Sequence, residues 1–228
     1  MTVNPSLRPR RLGIFGGTFN PIHLAHLRLA EEARESCNLD QVLFLPTALP
    51  PHKSLPEGSP AFADRTAMVA AAIAGNPAFA VSALEGERPG KNYSVEILQR
   101  LHLLYPESEF FFIIGMDSFR DLASWRDYQR LFTLTNLVVT RRPGIERDDL
   151  EKLLPVAILS EFCYDSTAKI VTHSSGSRII FLEETYLDIS STYIRQLLLH
   201  GRSVRYLLPA AVADYIEQHA LYQGGERL

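Results

Sequence analysis

The chain has 228 residues and a formal net charge of −3, from 23 Lys and Arg against 26 Asp and Glu. This balance excludes a protein whose affinity depends on a broad phosphate-binding surface, so we expect no nucleic acid partner. With 46% hydrophobic residues, the composition is typical of a folded protein and excludes disordered and low-complexity classes.

Short apolar runs alternate with helical periodicities along most of the chain. These runs predict strands at 11–15, 42–45, 79–84, 109–114, 136–140, 169–172 and 178–182. The periodicities predict helices at 24–37, 64–74, 94–105, 117–132, 148–154, from the serine caps at 190–192 to Gly201, and after Pro209. Ser94 is the predicted cap of the third of these helices. Alternating strands and helices indicate an α/β fold with an open, mostly parallel sheet covered by helices on both faces.

The length is that of one α/β domain, which we place at residues 11–222 between a flexible N-terminal tail (1–10) and a C-terminal tail (223–228). No apolar run approaches the roughly 20 residues of a membrane-spanning helix, so we expect no membrane partner. Cys37 and Cys163 lack the spacing of a disulfide or zinc framework, and no apolar secretory core follows the basic N-terminus. The chain is therefore predicted to be cytoplasmic.

The turn from the first predicted strand into the first predicted helix carries the most informative residues. Gly16 and Gly17 allow close approach of the backbone to a ligand, and the start of a helix favours an anion. His23 and His26 are three residues apart, so on a helix they share one face and can donate to the same phosphoryl group. Taken alone, two adjacent glycines are usually only a turn, and one histidine in a first helical turn is usually only a polar surface residue. The glycines and histidines in combination indicate a phosphate site.

Other ligand classes fit this segment poorly. A metal site at the two histidines would need a third ligand, and the H-E-x-x-H pattern is absent. The glycines form neither the G-x-G-x-x-G of a dinucleotide-binding fold nor a P-loop. No metal-binding residue is therefore assigned.

Two distant segments resemble the signatures of the nucleotidyltransferase superfamily. The sequence GGTFNPIHLAH at 16–26 is similar to its (T/H)-x-G-H motif, with Ala25 in the usual place of Gly, and ISSTYIR at 189–195 is similar to its second signature, I-S-S-T-x-I-R. Further matches are LPPHK at 49–53, IIGMDS at 113–118, Ser124-Trp125 and VTRRPG at 139–144. Together they resemble bacterial nicotinate-nucleotide adenylyltransferases over residues 12–221.

The resemblance implies a role for each matching residue. It makes His23 and His26 the catalytic residues, with His26 as the main stabiliser of the transition state. It implies ATP binding by Gly16, Gly17, Thr18, Phe19, Gly115, Asp117, Ser190, Ser191 and Arg195. It implies binding of the second substrate by Ser94, Trp125, His52, Lys53 and Arg142. Ser94 stands where the family commonly has Thr.

The implied partners are ATP and nicotinate mononucleotide, with Mg²⁺ held mainly by phosphates and water. The implied reaction forms nicotinate adenine dinucleotide and pyrophosphate by direct in-line displacement. A related adenylyltransferase acting on nicotinamide mononucleotide or pantetheine phosphate is the nearest alternative, and a non-catalytic nucleotide-binding module is the alternative of another class. The sequence leaves a homo-oligomer open.

Overall fold

The computed structural model describes residues 9–50, 54–88, 90–141, 154–165, 170–183, 185 and 187–223. The strands are β1 (Arg11–Gly17), β2 (Gln41–Pro46), β3 (Phe79–Val81), β4 (Glu109–Gly115), β5 (Asn136–Arg141), β6 (Phe162–Asp165), β7 (Ile170–His173) and β8 (Arg178–Glu183). The α-helices are α1 (Leu24–Ser36), α2 (Phe62–Ile73), α3 (Ser94–Leu104), α4 (Met116–Arg120), α5 (Leu131–Leu134), α6 (Ser191–Leu199) and α7 (Ala210–Gln218). Across these residues, none of the helices has the length and apolarity to span a membrane.

The strands form one eight-stranded sheet in the order β3-β2-β1-β4-β5-β8-β7-β6. The central pairs β1–β4, β4–β5 and β5–β8 are parallel, whereas β6, β7 and β8 pair antiparallel. Every residue from Phe110 to Ile114 in β4 is buried, as expected for a parallel strand with both faces covered. The prediction of an open, mostly parallel α/β sheet is confirmed.

The chain divides into two compact units, each built from segments that are distant in sequence. Unit 1 contains the described residues of 1–15, 32–42 and 93–185, and unit 2 those of 16–31, 43–92 and 186–228. The single domain at 11–222 stays a prediction. The predicted helix at 148–154 falls outside the described residues except for Leu154, and the predicted tails do so at 1–8 and 224–228.

In unit 1, the prediction of one long helix at 117–132 is wrong. The structure has α4, two 3₁₀ turns (Leu122–Ser124 and Tyr128–Arg130) and then α5. The Ser124 hydroxyl donates to the Asp121 carbonyl at 2.6 Å, a local bond of the kind by which Ser and Asp compete with helix continuation. Asp127 then adopts a left-handed φ of +50°, which ends any continuous helix there.

One smaller sequence prediction also differs from the structure of the described residues, and one of their strands has no predicted counterpart. The helix α3 begins at Ser94 itself, and Tyr93 occupies the cap position without a side-chain hydrogen bond, so Ser94 is not the cap. Strand β6 was not predicted. It pairs antiparallel with β7, the next strand along the chain, but its four residues, Phe162–Asp165, are too short a run for a period-two alternation to be recognised.

Unit 2 places the start of α1 through its helices and loops. Helix α2 packs against α7, and the Tyr215 hydroxyl donates to the Asp64 carboxylate at 3.1 Å. The backbone N–H of Leu24, the first residue of α1, donates to the Leu207 carbonyl at 3.0 Å. The bond between Leu24 and Leu207 therefore fixes the helix end at which the two histidines lie.

Candidate active site

The loop that leads from the last residues of β1 into α1, residues 16–23, is called here the cradle loop. Phe19 has a left-handed φ of +45° and is 2% exposed. Its ring lies over Gly17, where an added Cβ would come within 2.9 Å of the ring, and its edge meets the His26 ring with centroids 5.2 Å apart. Gly17 is therefore required for the packing of Phe19, a reason that the sequence pattern does not reveal.

The two predicted catalytic histidines contact each other directly. Their rings stack with centroids 3.6 Å apart and planes 22° apart. The backbone N–H of His23, at the cap position of α1, donates to Nδ1 of His26 at 3.2 Å. His26 thus satisfies the open helix end as the third residue of a capping box does. Because Nδ1 accepts this bond, the proton of a neutral His26 ring is on Nε2.

Both rings are neutral near pH 7. Burial lowers the pKa of His23 from 6.5 to about 4. Burial, followed by the neighbouring His23, lowers the pKa of His26 well below 6.5. The buried Nδ1 of His23 has no hydrogen-bond partner among the described residues. The pair can therefore offer ring N–H donors to an anionic oxygen without carrying a positive charge.

The second signature begins helix α6 and contacts the cradle loop. Ser190 caps the helix by accepting the Tyr193 N–H at 3.2 Å. The Ser191 hydroxyl donates to the Pro21 carbonyl at 2.9 Å, and Nη1 of Arg195 donates to the Asn20 carbonyl at 2.8 Å. The structure therefore brings together two segments that are about 170 residues apart in sequence, with the histidines directly after the shared loop.

Sequence reasoning missed the residues that hold this loop in place. The Asn20 side chain is 3% exposed; it donates to the Ser59 hydroxyl at 2.8 Å and accepts the Tyr222 hydroxyl at 2.7 Å. A buried arginine, Arg65, donates to the carbonyl of Thr18 at 2.7 Å. Arg65 could have been singled out, because it shares the apolar face of α2 with Met68 and the sequence places a charge there. Tyr222 gives no such signal.

Four predicted site residues lie in unit 1. Gly115 ends β4, and the exposed Asp117 lies in the first turn of α4, at the carboxyl end of a central parallel strand, where open α/β sheets bind ligands. Ser94 is the first residue of α3 and is half-buried. Trp125, also half-buried, meets the Phe112 ring edge-on with centroids 6.3 Å apart.

The remaining predicted contacts, His52, Lys53 and Arg142, lie outside the described residues. Over the part of the chain that the structure covers, no group of three or more His, Cys, Asp or Glu side chains is placed to hold a metal ion.

Comparisons with known proteins identify the relatives of this chain. The sequence profile of the cytidylyltransferase-like family matches residues 14–197. A probable nicotinate-nucleotide adenylyltransferase of Syntrophotalea carbinolica is 62% identical over 95% of this chain and 99% of its own length. One of Geotalea daltonii is 54% identical over 94% of this chain and 99% of its own.

Solved structures resemble the chain in fold. The nicotinic acid mononucleotide adenylyltransferase of Plasmodium falciparum, complexed with NaAD, has a TM-score of 0.71 and 19% identity, and covers 93% of this chain and 97% of its own. The same enzyme complexed with APC has a TM-score of 0.69 and 18% identity over the same shares. From the sequence matches, the chain belongs to the cytidylyltransferase-like family and, within it, to the nicotinate-nucleotide adenylyltransferases.

Proposed function

We propose that the chain transfers the adenylyl group of ATP to nicotinate mononucleotide, forming nicotinate adenine dinucleotide and pyrophosphate. The observation that carries this proposal is the pair of bonds from Ser191 and Arg195 to the carbonyls of Pro21 and Asn20. These bonds join the two signature segments beside the stacked histidines, as one triphosphate site requires. The names of the close relatives supply the acceptor.

The reaction needs no protein nucleophile. An oxygen of the mononucleotide phosphate attacks the α-phosphorus of ATP, a new P–O bond forms, and the bond from that phosphorus to the β-phosphate oxygen breaks in line with it. Pyrophosphate leaves with the electron pair. The protein contributes by positioning both phosphates and by stabilising the charge that develops on their oxygens.

His26 is the principal donor to the transferring phosphoryl group in this proposal. Its Nδ1 is engaged by the His23 N–H, which leaves the proton on Nε2 for a phosphate oxygen. A neutral ring held by stacking and by the helix end needs no reorganisation as charge develops. Ser190, Ser191 and Arg195 act on the β- and γ-phosphates, and the planar guanidinium suits their oxygens.

The other predicted residues complete the proposal. Gly16, Gly17, Thr18 and Phe19 form the backbone cradle for the phosphates, and Gly115 and Asp117 bind the adenosine. Trp125 stacks on the pyridine ring, and Ser94 contacts its carboxylate. His52 and Lys53 are further proposed phosphate contacts, and Arg142 is a further proposed contact of the second substrate.

Nucleotidyltransferases of this family generally use a divalent metal ion with ATP, and we propose Mg²⁺. This ion shields phosphate charge and keeps much of its water shell when it binds to substrate phosphates. We further propose that the enzyme works in the cytoplasm, in the synthesis of NAD.

The test is acceptor selectivity. Purified protein with ATP and Mg²⁺ is given nicotinate mononucleotide, nicotinamide mononucleotide or pantetheine phosphate, and pyrophosphate and the dinucleotide are both quantified. We expect the nicotinate substrate to react far faster than the other two. Equal rates with nicotinate and nicotinamide would refute the carboxylate assignment. ATP binding without pyrophosphate release from any acceptor would favour a non-catalytic module.

A further inference from the structure

A buried arginine lies beneath the cradle loop. Arg65 is on α2, on the same face as the buried Met68 and Val69, and is 1% exposed. Burying a charged group is costly unless it is paired or fully hydrogen-bonded. A charge kept at this position therefore calls for an explanation in what it contacts.

Arg65 joins the ends of two neighbouring loops. Its Nη1 donates to the carbonyls of Thr18 and Thr47, each at 2.7 Å, and its Nη2 donates to the Ala48 carbonyl at 3.2 Å. The same loops are joined by the Thr47 N–H, which donates to the Gly17 carbonyl at 2.8 Å. Thr18 follows β1, whereas Thr47 and Ala48 follow β2, so one guanidinium fixes the backbone after both strands.

A buried carboxyl supports this arrangement from the other side. Glu85 is 6% exposed, and its Oε2 accepts the Ala48 N–H at 3.0 Å. The Ala48 residue thus has its carbonyl held by Arg65 and its N–H held by Glu85. The second loop is therefore held at both polar groups of Ala48, and the same guanidinium connects it to Thr18.

The bond to Thr18 determines the direction of a peptide group in the cradle. In a trans peptide, the C=O and the following N–H point in opposite directions. Because Arg65 holds the Thr18 carbonyl, the N–H of Phe19 points to the side away from the guanidinium. Anion sites in loops are formed by successive backbone N–H groups that point to one side, and the direction of the Phe19 N–H suits it to be one of them.

We propose that Arg65 is a positioning residue that orients the Thr18–Phe19 peptide so that its N–H faces a substrate phosphate. This inference rests on the proposed function, because it assigns a role within the same phosphate site. Arg65 itself touches no substrate, and its effect is transmitted through the Thr18 carbonyl.

The test compares Arg65→Lys and Arg65→Gln with a matched control, Tyr215→Phe. The control removes the Tyr215 bond to Asp64, the residue next to Arg65 on α2, and leaves the bonds to the loops intact. For each variant, kcat and the KM of both substrates are measured together with the thermal unfolding midpoint. A loss of folded protein lowers the apparent kcat but leaves KM unchanged, so KM distinguishes positioning from stability.

We expect both Arg65 variants to raise the KM of at least one substrate or to lower kcat per folded molecule by at least ~10-fold, since small misplacements in a reaction site can cost about 10²-fold. Lys should retain more activity than Gln, because its longer side chain brings an N–H donor closer to the place of the guanidinium than the shorter Gln amide does. The kcat and KM values of the control should remain within about twofold of wild type, since Tyr215→Phe disturbs no substrate-positioning bond. Arg65 variants that are folded and kinetically like the control would overturn the inference.

A second measurement uses the wild-type chain and does not depend on catalysis. With ¹⁵N-labelled protein, pyrophosphate should shift the amide resonance of Phe19, and the absence of a shift under saturating pyrophosphate would overturn the inference. This holds even if neither Arg65 variant folds. Failure of the proposed function would appear separately, as wild-type protein that makes no dinucleotide.

Discussion

Replacing His26 by Asn separates its two roles. The Asn side-chain oxygen reaches the place of Nδ1 and can still accept the His23 N–H, which His26 accepts at 3.2 Å. Asn cannot reach the place of Nε2. The variant therefore keeps the bond that closes the start of α1 and removes the proposed donor to the phosphoryl group.

The expected loss in turnover is large and the expected loss in stability is small. Removing one preorganised donor to a developing oxyanion costs about 10²- to 10³-fold in kcat. If the helix-end bond is kept, the free energy of unfolding should change by less than about 1 kcal/mol, the net worth of a typical hydrogen bond. His26→Ala should lose both, because it removes the acceptor as well as the donor.

The assay is initial-rate pyrophosphate release at saturating ATP and nicotinate mononucleotide, with urea unfolding for each variant. His26→Gln is the matched control, because its amide N–H₂ reaches the place of Nε2, and it should retain more turnover than His26→Asn. A folded His26→Asn variant with wild-type kcat would refute the assignment of Nε2 as the catalytic donor.

Further predictions concern pH, the loop and the triphosphate. For His23, whose pKa falls to about 4 in the folded state, the unfolded chain binds more protons between pH 4 and 6.5, so stability rises with pH by up to about 3 kcal/mol. Burial raises the pKa of Glu85 to about 7, which lowers stability as pH rises from 4.5 to 7. The free energy of unfolding, measured by urea titration at each pH, should rise less steeply with pH in His23→Gln than in wild type. In Glu85→Gln it should fall less steeply. A pH dependence equal to that of wild type in both variants would contradict both signs. Tyr222→Phe, which removes the hydroxyl bond to Asn20 at 2.7 Å, should destabilise by about 1 kcal/mol in urea unfolding, and an unchanged midpoint would show that this bond is not needed. Arg195→Lys should lower kcat/KM for ATP by at least ~10-fold because Lys lacks the planar fork, and unaltered steady-state kinetics would contradict its role.

The sequence was sufficient for the parallel sheet because its central strands are apolar throughout. β4 is buried from Phe110 to Ile114, and such a run bounded by Pro106 and Gly115 has few alternatives to a central strand. The break between 117 and 132 was not predictable from periodicity. It depends on one hydroxyl bond at Ser124 and on the left-handed backbone of Asp127.

The signature residues of the site were likewise predictable as residue types, but not their contacts. The sequence places His23 and His26 on one face of a helix, but it does not show that the two rings stack or that the His23 N–H fixes the tautomer of His26. Arg65 and Tyr222 act across long sequence separations. Their roles depend on tertiary packing, which the local sequence pattern does not predict.

The contacts of Ser191 and Arg195 with the cradle loop imply that both signature segments bind the same triphosphate. A crystal structure of the chain with a non-hydrolysable ATP analogue measures this directly. We expect the α-phosphate to lie within hydrogen-bond distance of Nε2 of His26 and the terminal phosphates to lie against Arg195. A triphosphate bound away from either residue would contradict the shared site.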